Sequence, residues 1–189
     1  MRTRTTTKLA LSDLSDTDRE RIAVCFHEAG HAVAAVLLGG RISMAVVGPD
    51  RDRSVGSTHH ASVPAGAMPK ITYAGPWAQA RWLAGRRPTQ ADLFRVLEGH
   101  GCHDFRSLQA DGGTAAGSVI VPTLDRCWPA ITALAGQLYH PSKAQLIRQG
   151  DVLAALGITD GGGPGSMQLA MIRSGSAPGS FRVTAARSG

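Results

Sequence analysis

A chain of 189 residues with 43% hydrophobic residues is long enough for one globular domain with a substantial core. Its formal net charge of +6 would suit a nucleic-acid binder, but residues 9–160 carry 14 basic and 14 acidic side chains. The excess positive charge lies near the two ends, so we expect no nucleic-acid-binding face on the domain.

Neither a membrane span nor a secretory signal is expected. No stretch reaches the roughly 18 consecutive apolar residues of a membrane-spanning helix, and the basic N-terminus lacks the apolar core of a signal peptide. The cysteines Cys25, Cys102 and Cys127 are odd in number and have no paired spacing. This usage is more typical of a reducing compartment than of a disulfide framework, so we expect a cytoplasmic protein.

The first elements are predicted to be a long helix and a hairpin. Apolar residues recur at helical spacing after Ser15 and Thr17, either of which could be the N-cap, and Gly39-Gly40 ends the pattern. Residues 41–63 then predict two short strands around a charged turn at Pro49 to Arg53. The hairpin would stand alone or belong to a small sheet.

The remainder of the chain predicts a mainly α-helical (α+β) domain followed by a tail. Helices are expected over residues 68–85, 89–99, 103–110, 123–140 and 142–157. Gly75-Pro76 could interrupt the first of them, Thr89 is an N-cap candidate, and His140-Pro141 separates the last two. From Thr159 the chain is rich in Gly and Ser. The expected organisation is a basic N-terminal arm (1–14), one domain (15–158) and a flexible tail (159–189).

The stretch "HEAGH" carries the clearest chemical signal. His27 and His31 lie four residues apart, which places both imidazoles on one face of a helix. Two such nitrogens can bind one Zn²⁺ at about 2.0–2.1 Å. Glu28 lies beside the first histidine and can act as a general base without binding the metal. This HExxH arrangement predicts a zinc hydrolase, in which zinc lowers the pKa of its water to about 7 and polarises a substrate carbonyl.

A third metal ligand must come from elsewhere in the chain. Ala34 and Leu37 occupy the positions where the extended metzincin pattern needs glycine and histidine, which excludes that class. The downstream candidates are Asp92, Glu98, His100, Cys102, His103 and Asp104.

Several segments resemble, in chain order, the peptidase domain of FtsH-type proteins. The stretch "FHEAGHAVAAVLLGG" resembles the zinc helix of that family, and "YAGPWAQARWLAG" is similar to its helix of small residues. The stretch "GHGCHDFRSLQA" resembles the segment whose aspartate binds the metal. The resemblance spans about residues 15–158. It implies a helical zinc-peptidase fold, with His27, His31 and Asp104 as zinc ligands and Glu28 as the base.

The chain also departs from the FtsH pattern. The transmembrane helices and the ATPase domain of that family are absent, so a standalone peptidase domain is expected. Gln79 and Arg81 stand where the family has acidic residues, and the longer spacing from Gly85 to Asp104 leaves Asp92 open as a ligand. His59-His60 is expected at a turn or on the surface.

These observations together predict a zinc-dependent endopeptidase that acts on peptides or unfolded protein through a metal-activated water. The strand after the zinc helix could bind substrate backbone by strand addition. A separate ATPase or regulatory partner would be needed for folded substrates. The alternatives are a catalytically idle zinc-binding interaction module and a regulatory protease that cleaves a specific repressor-like partner.

Overall fold

The computed structural model describes residues 14–50, 53–99 and 101–181. As the sequence predicts, these residues form a mainly helical fold with a small antiparallel sheet. The helices are α1 (Asp16–Leu37), α2 (Met68–Ala84), α3 (Gln90–Glu98), α4 (Cys102–Ala110), α5 (Gly113–Ser118), α6 (Val121–Arg126), α7 (Trp128–Leu138), α8 (Gln149–Ala155) and α9 (Met167–Ser174). The strands are β1 (Arg41–Asp50), β2 (Arg53–Ser62) and β3 (Gln145–Ile147).

Helix α1 runs through the centre of the core. It begins at the predicted N-cap, where the Ser15 hydroxyl accepts a hydrogen bond from the Asp18 N–H at 3.1 Å. Its last six residues, 32–37, are all buried and consist of alanine, valine and leucine. Phe26 stacks on Trp82 of α2 and Trp128 of α7, with ring centroids 5.6 and 5.2 Å apart. These aromatic contacts join the three helices.

Helix α2 crosses α1 at very short range because Gly30 has no side chain. A Cβ at Gly30 would lie 2.5 Å from the carbonyl oxygen of Ala74 and 2.9 Å from the Cβ of Ala78. Helix α2 continues through Pro76, although proline removes one helical hydrogen bond. The burial of residues on both sides of Pro76 against the core keeps the helix intact.

The sheet has the strand order β2-β1-β3, and both pairings are antiparallel. Strand β1 is therefore paired on both sides, whereas β2 is an edge strand within the described residues. The β1–β2 register shifts twice: β1 contains one additional residue, Ser43, between Ile42 and Met44, and β2 contains one additional residue, Ala61, opposite the step from Arg41 to Ile42. Strand β3 corrects the prediction of one helix over 142–157, because Ile147 is buried and pairs with Ala45 of β1.

The segment after Thr159 differs from the predicted flexible tail up to residue 181. Helix α9 lies in it, and Leu169 and Ile172 of this helix are fully buried. The Asp160 carboxylate accepts hydrogen bonds from the Ser166 hydroxyl at 2.7 Å and the Gln168 N–H at 3.1 Å, which orders the turn before the helix. Glycine content indicated flexibility, but burial of apolar side chains decided the structure. Residues 1–13 and 182–189 lie outside the described residues.

A chain ending at residue 160 is therefore expected to be less stable than the full chain. Burial of Leu169 and Ile172 stabilises the fold by roughly 1.5–3 kcal/mol per side chain. Urea denaturation should show a lower midpoint for the chain ending at residue 160. A chain ending at residue 181, which keeps α9, is the control and should match the full chain. Equal midpoints for all three would show that α9 contributes nothing.

Candidate metal centre

Three of the predicted site residues converge beside α1. His27 and His31 lie one turn apart, and Asp104 lies in the first turn of α4. The Asp104 Oδ2 atom is 2.8 Å from the His27 Nε2 atom and 3.5 Å from the His31 Nε2 atom. One potential ligand atom from each residue lies within 4.8 Å of the other two. The three side chains could therefore hold a single ion.

Helix α2 orients both imidazole rings. The Nδ1 atom of His27 lies 2.8 Å from the Gln79 Oε1 atom, and the Nδ1 atom of His31 lies 2.8 Å from the Ile71 carbonyl oxygen. A carbonyl oxygen only accepts hydrogen bonds, so each Nδ1 carries the proton. Both Nε2 atoms then face Asp104, and each can bind a metal once it carries no proton. Such outer contacts fix the tautomer and the ring orientation of metal-binding histidines.

In the metal-free protein, His31 and Asp104 favour each other's charged forms. Burial disfavours the charged form of His31, but the Asp104 carboxylate outweighs this effect and raises the pKa of His31 to about 9. Burial would likewise raise the pKa of Asp104, but the neighbouring His31 and His27 hold that pKa well below its usual range. Asp104 therefore presents a carboxylate at neutral pH.

The donor set fits zinc. Two imidazole nitrogens and one carboxylate oxygen are typical protein ligands of catalytic zinc, which keeps a fourth position open. The three residues line a cleft of about 820 Å³. Water and a peptide segment can therefore reach the position that the ion would occupy.

Glu28 lies in the same cleft and is held in place by β2. Its side chain is buried, and the Thr58 hydroxyl donates a hydrogen bond to its Oε2 atom at 2.7 Å. Gly56 leaves room for the carboxylate, because a Cβ there would lie 2.6 Å from the Glu28 Cγ and Oε1 atoms. The carboxylate thus has a defined position between the metal-binding histidines and the strand.

The other candidates for the third ligand do not join the cluster in the described part of the chain. Asp92 instead forms a capping box with Thr89 and ion pairs with Arg86 and Arg95. Glu98 is exposed on α3. Cys102 and His103 line the cleft without joining the three-residue group. His100 lies outside the described residues.

Three polar residues of the cleft were not identified from the sequence. From the sequence, Gln79 is only a departure from the FtsH pattern. In the structure its Oε1 atom accepts a hydrogen bond from the His27 ring. Thr58 supports Glu28. His60 was expected at a turn or on the surface, but it lies within β2, is half-buried and lines the cleft. The period-two spacing of Gly56, Thr58 and His60 is the signal that could have indicated a common face.

His60 is uncharged at neutral pH. Burial is the main cause that lowers its pKa, and the nearby His31 lowers it further. Its Nδ1 atom is buried and has no hydrogen-bond partner among the described residues. The neighbouring residue His59 is exposed, and its Nε2 atom lies 2.9 Å from the Ser57 hydroxyl. The two neighbouring histidines therefore have different environments.

Replacement of Gly75 by alanine is expected to reduce zinc binding. The added methyl group would overlap the His31 ring, with its Nε2 atom nearest. Overpacking of this kind costs about 1–3 kcal/mol, more than the roughly 0.5–1 kcal/mol that alanine gains over glycine in a helix. Gly136→Ala in α7 is the control, because no atom lies near its added methyl group. Zinc titration should separate the two variants, and equal affinities would contradict the assigned position of His31.

Zinc affinity is expected to decrease as the pH falls below about 9. In the metal-free protein the pKa of His31 is raised to about 9, so this ring carries a proton at neutral pH. The metal must displace that proton, and the apparent association constant should fall about tenfold per pH unit. Competition with a chromophoric chelator between about pH 7 and 9 measures this slope. A constant affinity over the range would contradict the ion pair between His31 and Asp104.

Comparison with known proteins finds a match for the segment that contains most of α1, the hairpin and α2. Residues 19–86 match the family model described as Peptidase M50B-like. No curated protein and no solved structure matches the chain significantly. Within the described ranges, no helix has the length and apolar character needed to cross a membrane. The matched segment contains His27, Glu28 and His31 but ends before Asp104, so this part of the chain is similar to a metallopeptidase family, without specific support for the FtsH type.

Proposed function

We propose that the protein is a zinc-dependent endopeptidase that hydrolyses peptide bonds in flexible or unfolded polypeptide. The convergence of His27, His31 and Asp104 beside Glu28 in an open cleft carries this proposal. Zn²⁺ held by the three ligands would activate a water molecule and polarise the carbonyl of the scissile bond.

Glu28 is the proposed general base. As the water oxygen forms a bond to the carbonyl carbon, Glu28 takes a proton from that water. It then delivers the proton to the nitrogen of the leaving amine when the C–N bond breaks. Thr58 holds the Oε2 atom, so the carboxylate stays oriented during both transfers. This support favours an enzyme over the idle zinc-binding module, which has no need of an oriented base.

The edge of β2 is the proposed binding site for substrate backbone. Four consecutive residues, Val55 to Thr58, line the cleft, so the strand presents its edge to the site. Strand β1, proposed from the sequence for this role, is paired with β2 along its length and with β3 at Ala45 to Val47, so its central residues have no free edge. Strand addition requires an extended substrate. Flexible segments and unfolded chains meet this requirement, and folded substrates would need a separate ATPase or regulatory partner.

We also propose a reducing, cytoplasmic location. Cys25, Cys102 and Cys127 are all free, and two of them are buried in the core. Burial raises the pKa of the Cys25 and Cys127 thiols to about 12, which keeps them protonated and unreactive.

Cleavage of an unfolded protein tests the proposed function. The purified full chain is incubated with Zn²⁺ and reduced, carboxymethylated casein, and new fragments are identified by mass spectrometry. Fragments should form, disappear when 1,10-phenanthroline removes the metal, and return when Zn²⁺ is added back. If the protein carries stoichiometric zinc and casein remains intact, the endopeptidase proposal is wrong for unfolded substrates.

A further inference from the structure

His60 lies on the same face of β2 as the residues that hold the base. Side chains alternate along a strand, so Gly56, Thr58 and His60 point to one side, and Ser57 and His59 to the other. The hairpin has two register shifts, one with the additional residue Ser43 in β1 and one with the additional residue Ala61 in β2, so β2 has no additional residue between Gly56 and His60. Thr58 contacts Glu28, and His60 follows it about 7 Å further along the strand.

No hydrogen bond to a described residue accounts for the buried Nδ1 atom of His60. His60 does not belong to the three-residue metal cluster. A buried polar group without a partner reduces stability, so such a group calls for a functional explanation.

The position of His60 indicates which atom it would contact. It lines the cleft, and it is close enough to His31 and Glu28 for their charges to act on it. A carbonyl group that is attacked beside Glu28 and held near His31 would lie in the cleft that these three residues line. A neutral imidazole has one N–H that can donate to an oxygen there.

We propose that His60 donates a hydrogen bond to the carbonyl oxygen of the scissile peptide bond while that oxygen gains negative charge. This inference rests on the proposed endopeptidase function. When water attacks the carbonyl carbon, the π electron pair moves onto the oxygen, and the His60 N–H stabilises the charge. His60 keeps its proton throughout, because Glu28 carries out both proton transfers. His60 is thus a catalytic residue that acts mainly in the transition state.

The experiment compares His60→Ala with His59→Ala. The second variant alters a histidine on the opposite face of the same strand and is the matched control. The best-cleaved bond of casein is reproduced as a short peptide, and a phosphinic analogue of that peptide supplies a charged, tetrahedral mimic of the transition state. The measurements are kcat, KM, zinc content, melting temperature and the calorimetric Kd of the phosphinic analogue.

His60→Ala is expected to lower kcat by about 10²–10³-fold, the usual effect of removing one such donor, and to weaken binding of the phosphinic analogue by a similar factor. KM and zinc content should stay close to wild type, and the melting temperature should not fall. His60→Asn supplies a side-chain N–H donor and should recover part of both losses. His59→Ala should match wild type throughout.

Two results would overturn the inference while leaving the endopeptidase in place. One is a wild-type Kd for the phosphinic analogue in His60→Ala. The other is loss of zinc or of the folded state in both His60→Ala and His60→Asn, which would assign a structural role to the ring. If wild-type protein with bound zinc cleaves nothing in casein, the proposed function fails, and the inference fails with it.

Discussion

Replacement of Glu28 by glutamine is expected to leave zinc bound and to reduce peptide-bond cleavage by about 10²–10⁴-fold. Glutamine has nearly the same size, and its amide oxygen can still accept the hydrogen bond that Thr58 donates to the Glu28 Oε2 atom. The amide does not take a proton from water at neutral pH, so the attack loses its base. Zinc analysis measures the bound metal, thermal unfolding shows whether the fold is retained, and the casein assay measures cleavage.

Glu98→Gln is the matched control for this prediction, because Glu98 is exposed on α3 and does not line the cleft. It should cleave casein at the wild-type rate. Because Glu28→Gln retains the binding surfaces, it should also hold uncleaved substrate, which pull-down with labelled casein would detect. If Glu28→Gln cleaves as fast as wild type with zinc confirmed in both, Glu28 is not the base. If neither protein cleaves any substrate, the idle zinc-binding module becomes the better description.

Replacement of Asp104 by asparagine is expected to remove most of the zinc. The substitution keeps the shape of the side chain but removes the negative charge that faces both His27 and His31. Loss of an outer partner of a metal ligand typically costs about 10–100-fold in affinity. Loss of the ligand Asp104 itself should lower the zinc affinity by more than this factor. Titration with a competing chelator measures the affinity.

Two further variants calibrate the effect of Asp104→Asn. Gln79→Ala removes the partner of the His27 Nδ1 atom and should lower zinc affinity by about 10–100-fold. Asp92→Asn should keep wild-type affinity, because Asp92 caps α3 away from the cluster. The ligand assignment is wrong if Asp92→Asn loses zinc and Asp104→Asn retains it. Circular dichroism of the metal-free variants separates loss of a ligand from loss of the fold.

Short-range patterns in the sequence predict the local features of this protein. The four-residue spacing of His27 and His31 places them on one face of any helix, whatever surrounds it. The caps at Ser15 and Thr89 were also predictable, because a capping side chain bonds to backbone only three residues away. The mainly helical class and the hairpin after α1 follow from similar short-range patterns.

Long-range packing determines which distant residues complete the site. Asp92 and Asp104 are both acidic residues in the first turns of short helices, and only the packing of α4 places Asp104 against α1. The support of His27 by Gln79 likewise depends on the close crossing at Gly30. Strand β3 and helix α9 were missed for the same reason. Short segments with weak local preferences take the structure that buries their apolar side chains. The residues that cover those side chains lie far away in the chain, so local patterns do not reveal them.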